Sequence, residues 1–282
     1  MTVSSPTGST RVVGVIGDPV RHSLSPVLHN AAFVALGLDW TYVAFHVATG
    51  LGAQAVEAVR ALGIEGLSVT MPHKSDVAAA VDVLSDDAAA LGAVNTVLRR
   101  NSQLVGDSTD GYGFIAALAE AGFDPAGKRC MVIGAGGAGR AVVLALARGG
   151  AARVVVVNRD PGRAAAAVAL GGGVAAIGDI ESAAESDLVV NATPVGMGDR
   201  EVGVSVVAAD LLGPGQFIND LVYHPAHTPL LLAAADRGAT ALNGLSMLVH
   251  QAARQFELWT GQPAPLVAMR AAVDDELSSR VS

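Results

Sequence analysis

Short runs rich in β-branched residues alternate along this chain with Ala- and Leu-rich stretches whose apolar positions recur at helical spacing. That alternation predicts an α/β fold, a parallel sheet with helices on its faces. In the first half, strands are expected over 12–16, 40–47 and 67–70, and helices over 26–36 and 52–62. Two further strands, 94–99 and 104–107, read as a hairpin around Arg100-Asn101-Ser102. A helix over 111–121, closed by Gly122, leads into a second set of strands at 130–133, 154–157, 187–191, 217–221 and 240–242. Final helices over 245–259 and 264–277 have no strand partner and are free to pack on either half. No internal repeat is visible, and two domains joined by a helix is the economical reading.

Bulk properties narrow the class. A length of 282 residues with 51 % hydrophobic positions suits two domains and supplies ample core. No apolar run of about 18 residues is free of charge and turn signals, so no membrane span is expected. The net charge is -8, with no basic cluster or aromatic-interleaved tract, which argues against nucleic acid as a partner and for a small-molecule substrate. Cys130 is the single cysteine, which leaves no disulfide framework or thiolate metal cluster. The polar start MTVSSPTGST lacks an apolar signal region. A cytoplasmic location is expected, and no metal.

One segment carries a ligand signal in its structural context. GAGGAGRAVVLALARGG, from Gly134 to Gly150, lies between the apolar runs CMVI and VVVV and so forms the turn of a strand-helix-strand unit. Gly134, Gly136 and Gly139 fit the GxGxxG spacing: a tight turn, close approach of backbone N–H groups to a pyrophosphate, and close helix–strand packing. Phosphates would rest on the helix N-terminus. The second strand ends in Asn158-Arg159, and Arg140 and Arg163 are available to join Arg159 around a ribose 2′-phosphate, which favours NADP over NAD. Asp160 opposes that choice unless it points to solvent or caps the helix that Pro161 begins.

Polar residues stand at odd places in the first half. Ser23-Leu24-Ser25-Pro26 opens a helix, with Ser25 the expected N-cap and no local role evident for Ser23. In SVTMPHK, a strand runs into a Pro-initiated helix that places Thr70 near the cap and Lys74 in the first turn, where the helix dipole disfavours a cation. Asn95 interrupts the apolar run AVNTV, where a buried amide needs partners. Asp110 begins a helix and is its expected N-cap.

Together SLSP, SVTMPHK, AVNTV, DSTDGYGF, VIGAGGAGRAV, NATPVGM, YHPAHTPLL and NGLSMLVHQ resemble the shikimate dehydrogenase family, in that order and spacing, over residues 12–265. The resemblance implies a substrate-binding catalytic domain of residues 1–109 and 245–282 and a Rossmann dinucleotide-binding domain of residues 110–244, with a cleft between them. It implies that Ser23 and Ser25 hold the substrate carboxylate, and that Ser68, Thr70, Lys74, Asn95, Asp110 and Gln251 surround the ring hydroxyls, with Tyr223 facing the substrate. It implies cofactor contacts from Gly134, Ala135, Gly136, Gly137, Ala138, Gly139, Asn158, Arg159, Arg163, Thr193, Val222 and Gly244. The implied activity is reversible, NADP-dependent reduction of 3-dehydroshikimate to shikimate in aromatic amino-acid and chorismate biosynthesis, by a monomer or homodimer.

Hydride transfer at a secondary alcohol requires a proton to move at the same oxygen, and Lys74 and Asp110 are the candidates. Free lysine titrates near ~10.4, so a neighbouring carboxylate would keep Lys74 cationic, either as proton donor or as electrostatic anchor of an alkoxide. Three positions depart from the family pattern. Ser68 and Ser108 stand where Asn is frequent, and Asp160 stands where NADP-specific members often carry a small hydroxyl residue. An NAD-dependent quinate/shikimate dehydrogenase is therefore the alternative, and a catalytically silent nucleotide and metabolite sensor is a third reading.

Overall fold

The computed structural model describes residues 5–198 and 203–281. The chain divides into two compact units, residues 1–109 with 249–282, and residues 110–248. The second division falls inside a helix, slightly past the Leu245 boundary read from the sequence.

The first unit opens with β1 (Arg11–Gly17), α1 (Ser25–Ala35), β2 (Trp40–His46), α2 (Gly52–Leu62) and β3 (Gly66–Val69). It continues through α3 (Lys74–Ala80), β4 (Val83–Leu84), α4 (Asp86–Leu91), β5 (Thr96–Arg100) and β6 (Gln103–Asp107). The strands form one sheet in the order β2-β1-β3-β5-β6-β4. Strands β1, β2 and β3 pair in parallel, but β5 is antiparallel to both β3 and β6, so this sheet is mixed rather than wholly parallel. The hairpin dictates the reversal: Arg100 pairs with Gln103 across a two-residue turn, and Asn101 takes the left-handed φ of 55° that such turns require. Ile16, Val56, Val59, Leu67, Val77, Val97 and Leu104 fill one buried cluster of this unit.

Three helix starts differ from the sequence expectation, one of them that of the helix Asp110–Glu120, in which Asp110 is the first residue rather than the cap before it. The N-cap of α1 is Leu24, without a side-chain bond, and Ser25 is the first helical residue. It is Ser23 that serves the helix entry, its Oγ accepting the Ser25 N–H at 3.2 Å. The chain turns through Met71, Pro72 and His73 before α3, so Thr70 lies outside the helix and Lys74 is its first residue, with His73 at the cap. The turn is closed by the His73 N–H donating to the Thr70 carbonyl at 3.1 Å.

The second unit runs from α5 (Asp110–Glu120) through β7 (Arg129–Ile133), α6 (Gly137–Arg148), β8 (Arg153–Val157), α7 (Pro161–Gly171) and β9 (Ala175–Ile177). Then follow β10 (Leu188–Asn191), β11 (Phe217–Asp220), α8 (Pro229–Asp236) and β12 (Thr240–Leu242). Its sheet is parallel at every pairing, in the order β12-β11-β10-β7-β8-β9. Alternate residues of β7 feed different faces: Val132 joins Val142, Leu146 and Val190, while Met131 and Ile133 join Val189, Ile218 and Leu230. Both faces are covered, which is why these strands read as continuous apolar runs.

The last helices are α9 (Leu245–Thr260) and α10 (Leu266–Val281). Of the two packing options left open by the sequence, α10 takes the first unit, against α1. Trp259 at the end of α9 donates its indole N–H to the Val97 carbonyl at 3.0 Å, over Gly66, where a Cβ would stand 2.2 Å from the indole nitrogen. Among the described residues no helix is long and apolar enough to cross a membrane.

Candidate functional site

Each unit carries part of the predicted chemistry. In the second, β7 ends at Gly134, whose N–H donates to the Val157 carbonyl at 2.8 Å and whose φ of +103° is denied to other residues at low cost. A Cβ on Gly139 would lie 2.0 Å from the Gly134 carbonyl oxygen, so turn and helix are in direct backbone contact. Gly136 is different. As N-cap of α6 it has φ -77° and ψ -170°, no side-chain cap bond, and nothing of the protein within 4 Å of where a Cβ would stand. The turn thus offers open space in front of the first N–H groups of Gly137 and Ala138, which by helix geometry lack intrahelical acceptors. Ala135 is buried and Gly137 exposed. This is the shape that a pyrophosphate needs, and the residues fit a dinucleotide.

Asn158 at the end of β8 ties this turn to the next one. Its Oδ1 accepts the Ala135 N–H at 3.2 Å and its Nδ2 donates to the Asp160 carbonyl at 2.9 Å. Asp160 is the N-cap of α7, its Oδ1 accepting the N–H groups of Gly162 at 2.9 Å and Arg163 at 3.1 Å. Both alternatives for this carboxylate are realised: it caps α7 and its side chain is exposed. Arg159 and Arg163 are exposed beside it, and Arg140 is partly buried on α6.

The loops after β10, β11 and β12 hold Thr193, Val222 and Gly244 in one hydrogen-bonded fabric, with Tyr223 next in the chain after Val222. Thr193 donates to Asn191 Oδ1 through its N–H at 3.0 Å and its hydroxyl at 2.7 Å. Asn191 donates from Nδ2 to Asp220 Oδ1 at 2.9 Å, and the Val222 N–H reaches the same oxygen at 3.0 Å. The Thr228 hydroxyl donates to Asp220 Oδ2 at 2.7 Å. The Gly244 N–H donates to the Val222 carbonyl at 3.1 Å, and a Cβ there would stand 2.0 Å from the Leu221 carbonyl oxygen. Burial raises the Asp220 pKa above the usual carboxylate range, and the bonds from Thr228, Val222 and Asn191 oppose that rise.

In the first unit, backbone bonds gather the predicted polar residues. The Val69 N–H donates to the Asn95 carbonyl at 2.7 Å and the Val94 N–H to the Lys74 carbonyl at 2.9 Å, which sets the segment with Ser68 and Thr70, the start of α3 and Asn95 side by side. Asn95 lies just ahead of β5 rather than within a strand. Its buried amide has the partners such a group demands: Nδ2 donates to Thr109 Oγ1 at 3.1 Å, and Oδ1 accepts the Thr109 N–H at 2.9 Å and the Thr96 hydroxyl at 2.7 Å. Ser68 is buried in β3, where it accepts the Tyr42 hydroxyl and donates to Gln255 Oε1, both at 2.7 Å. Gln255 Nε2 donates to Thr96 Oγ1 at 3.0 Å and the Asn95 carbonyl at 3.3 Å. Burial raises the pKa of the Tyr42 hydroxyl, and Ser68 and Ser25 oppose that rise. Gln251 lies one turn before Gln255 on α9. Asp110 is the first residue of α5, in the second unit.

Gln255, Tyr42 and Asp220 are the members that sequence reasoning did not single out. Gln255 repeats the Gln251 position one helical turn later, and Asp220 ends a strand, FIND, that is buried throughout; a polar residue in either place signals a required partner.

Residues 15–97 match the family described as shikimate dehydrogenase substrate binding domain, 117–195 match shikimate / quinate 5-dehydrogenase, and 244–273 match the shikimate 5'-dehydrogenase C-terminal domain. The shikimate dehydrogenase (NADP+) of Moorella thermoacetica is 45 % identical over 271 residues, covering 93 % of this chain and 92 % of its own. Among solved structures, the shikimate 5-dehydrogenase of Listeria monocytogenes in complex with shikimate and NAD superposes with a TM-score of 0.91 at 38 % identity, covering 96 % of this chain and 99 % of that one. The shikimate 5-dehydrogenase of Thermus thermophilus in complex with NADP(H) and shikimate gives 0.88 at 38 % identity, with 94 % and 99 % covered. Identity at this level over nearly the whole length, with the same fold, shows that the chain belongs to the shikimate dehydrogenase family.

Proposed function

We propose that this chain is an NADP-dependent shikimate dehydrogenase, interconverting 3-dehydroshikimate and shikimate in aromatic amino-acid biosynthesis. The observation that carries the reading is the gathering of Ser68, Thr70, Lys74 and Asn95 by the β3, α3 and β5 backbone bonds, a set of donors and acceptors suited to a polyhydroxylated ring. Ser23 and Ser25 at the head of α1 hold the substrate carboxylate, and Gln251 and Tyr223 complete the ring contacts. Bound NADP supplies or accepts the hydride. The chain's own part is to orient the alcohol and handle its proton: Lys74 serves the reacting oxygen as donor or cationic anchor, and Asp110 is the second residue assigned to the proton step.

Cofactor choice is supported by the capped state of Asp160. A carboxylate that accepts two N–H groups of α7 through Oδ1 and stands 3.8 Å from the Arg163 guanidinium through Oδ2 leaves Arg159 as the exposed cation for a 2′-phosphate, with Arg163 shared between the phosphate and Asp160. Gly134 to Gly139 cradle the pyrophosphate, and Asn158, Thr193, Val222 and Gly244 frame the rest of the nucleotide. NAD is the second reading, favoured by the complex named for the Listeria monocytogenes relative. The test is kcat/KM for shikimate and quinate, each with NADP and NAD. Preference for shikimate with NADP is expected; NAD with quinate accepted moves the assignment to a quinate/shikimate dehydrogenase, and nucleotide binding without turnover to a sensor.

A further inference from the structure

Asp220 is fully buried at the end of β11 and has no place in the hydride or proton steps, yet every neighbour that reaches it is a donor. An ionised carboxylate can only accept. That constraint fixes its surroundings. Asn191 must turn Nδ2 toward Asp220, which leaves Oδ1 facing the N–H and hydroxyl of Thr193. The Thr228 hydroxyl must spend its proton on Asp220, which leaves its oxygen to accept the Leu231 N–H at 3.3 Å as N-cap of α8. The Val222 N–H is held directly. One buried group thereby sets the orientation of two loops, at 191–195 and 220–228, and holds both Thr193 and Val222.

We infer that Asp220 is a positioning residue for the nicotinamide half of the bound dinucleotide, acting through Thr193 and Val222: β8, which leads to Asn158 and Arg159, lies on one side of β7 and its glycine turn and β10 and β11 lie on the other, so a dinucleotide whose adenosine end is held at Arg159 extends its other end over the loops after β10 and β11. This rests on the proposed NADP assignment. The two halves of the cofactor depend on different residues, the first on the Asp220 bonds and the second on Gly136, Asn158 and Arg159, so they should respond to mutation separately.

The experiment compares wild type, Asp220→Ala, Asp220→Asn and Thr228→Val by three readouts: affinity for adenosine 2′,5′-bisphosphate, the emission change of bound NADPH, and kcat with shikimate. Asp220→Ala strands several buried donors, so kcat should fall about tenfold or more and the NADPH emission change should shrink, with bisphosphate affinity within about twofold of wild type. Asp220→Asn keeps an acceptor for Asn191 and Val222 while its amide can donate to Thr228, and it should recover most of the loss. Thr228→Val, which leaves one oxygen unpartnered, should show a smaller loss of the same kind and serves if Asp220→Ala fails to fold. Wild-type emission and kcat in Asp220→Ala, or in Thr228→Val if that variant alone folds, overturn the inference. So does a parallel fall in bisphosphate affinity, which would mean that the whole unit had loosened. If wild type binds NADPH without oxidising shikimate, the substrate assignment fails and the emission readout still decides; if it binds neither nucleotide, both readings fall.

Discussion

Asp160 accepts the backbone N–H of Arg163 at 3.1 Å, while its second carboxylate oxygen stands 3.8 Å from the Arg163 guanidinium. The same side chain therefore starts α7 and places a negative charge beside a cation assigned to phosphate binding. Serine caps helices about as well as aspartate, so Asp160→Ser should leave stability within about 0.5 kcal/mol. Loss of the charge removes a repulsion worth about 1 kcal/mol at contact range in water, and the NADP-over-NAD ratio of kcat/KM should rise about fivefold. An unchanged ratio would show that Asp160 takes no part in cofactor choice.

The glycine turn separates folding from binding. Gly139→Ala drives a Cβ into the Gly134 carbonyl and should lower Tm sharply, by an overpacking cost of about 1–3 kcal/mol or more. Gly136→Ala meets no protein atom and adopts dihedrals open to any residue, so its Tm should match wild type. Its affinity for NADP should nevertheless drop, because the new methyl occupies the space left for phosphate. Calorimetric Kd and Tm on both variants check this, and a Gly136→Ala protein with wild-type affinity would move the phosphates elsewhere.

Lys74→Ala should lower kcat far more than it raises KM for shikimate, by about a hundredfold or more, since a charge facing a developing alkoxide acts mainly in the transition state. Steady-state kinetics distinguish this from uniform binding, for which KM alone would rise.

Acid stability should depend on His29. Its imidazole is buried against Tyr42, at 4.5 Å between ring centroids, and burial pulls its pKa from 6.5 to about 3, with Gln255 opposing weakly. The unfolded chain takes up the proton as pH falls through 6.5, and the folded chain does not until about 3. The contribution is thus complete above the unfolded value and lost between the two, at up to about 1.4 kcal/mol per pH unit. His29→Phe keeps a ring against Tyr42, and its urea-unfolding free energy should fall less steeply than wild type over that range. Parallel slopes would exclude His29 as the source.

Much of this architecture was legible in the chain because β-branched runs such as VVVV and glycines such as Gly134 carry their own physical meaning. The parts that were not legible depend on distant partners. Strands β4 and β9 are two and three residues long, and pairing with β6 and β8 alone makes them strands. Ser25 has the composition of an N-cap, but Ser23 reaches the helix N–H first. Asn95 announced itself as a polar residue in an apolar run, whereas Gln255, which bonds its carbonyl, is 160 positions away in sequence. Asp160 posed a question whose answer lay in backbone dihedrals, since capping requires the extended conformation at φ -95° and ψ 112° that it adopts.

The indole of Trp259, locked to the Val97 carbonyl over Gly66, has one companion in the chain, Trp40, which lies against Phe33 with the Arg11 guanidinium over its ring. Both belong to the first unit, so the second is silent in tryptophan emission. Intrinsic fluorescence excited in the indole band follows the melting of one unit alone, and the light of NADPH bound at the proposed glycine turn would follow the other. The molecule carries two separate optical channels, by which the order in which its halves come apart can be watched without any added label.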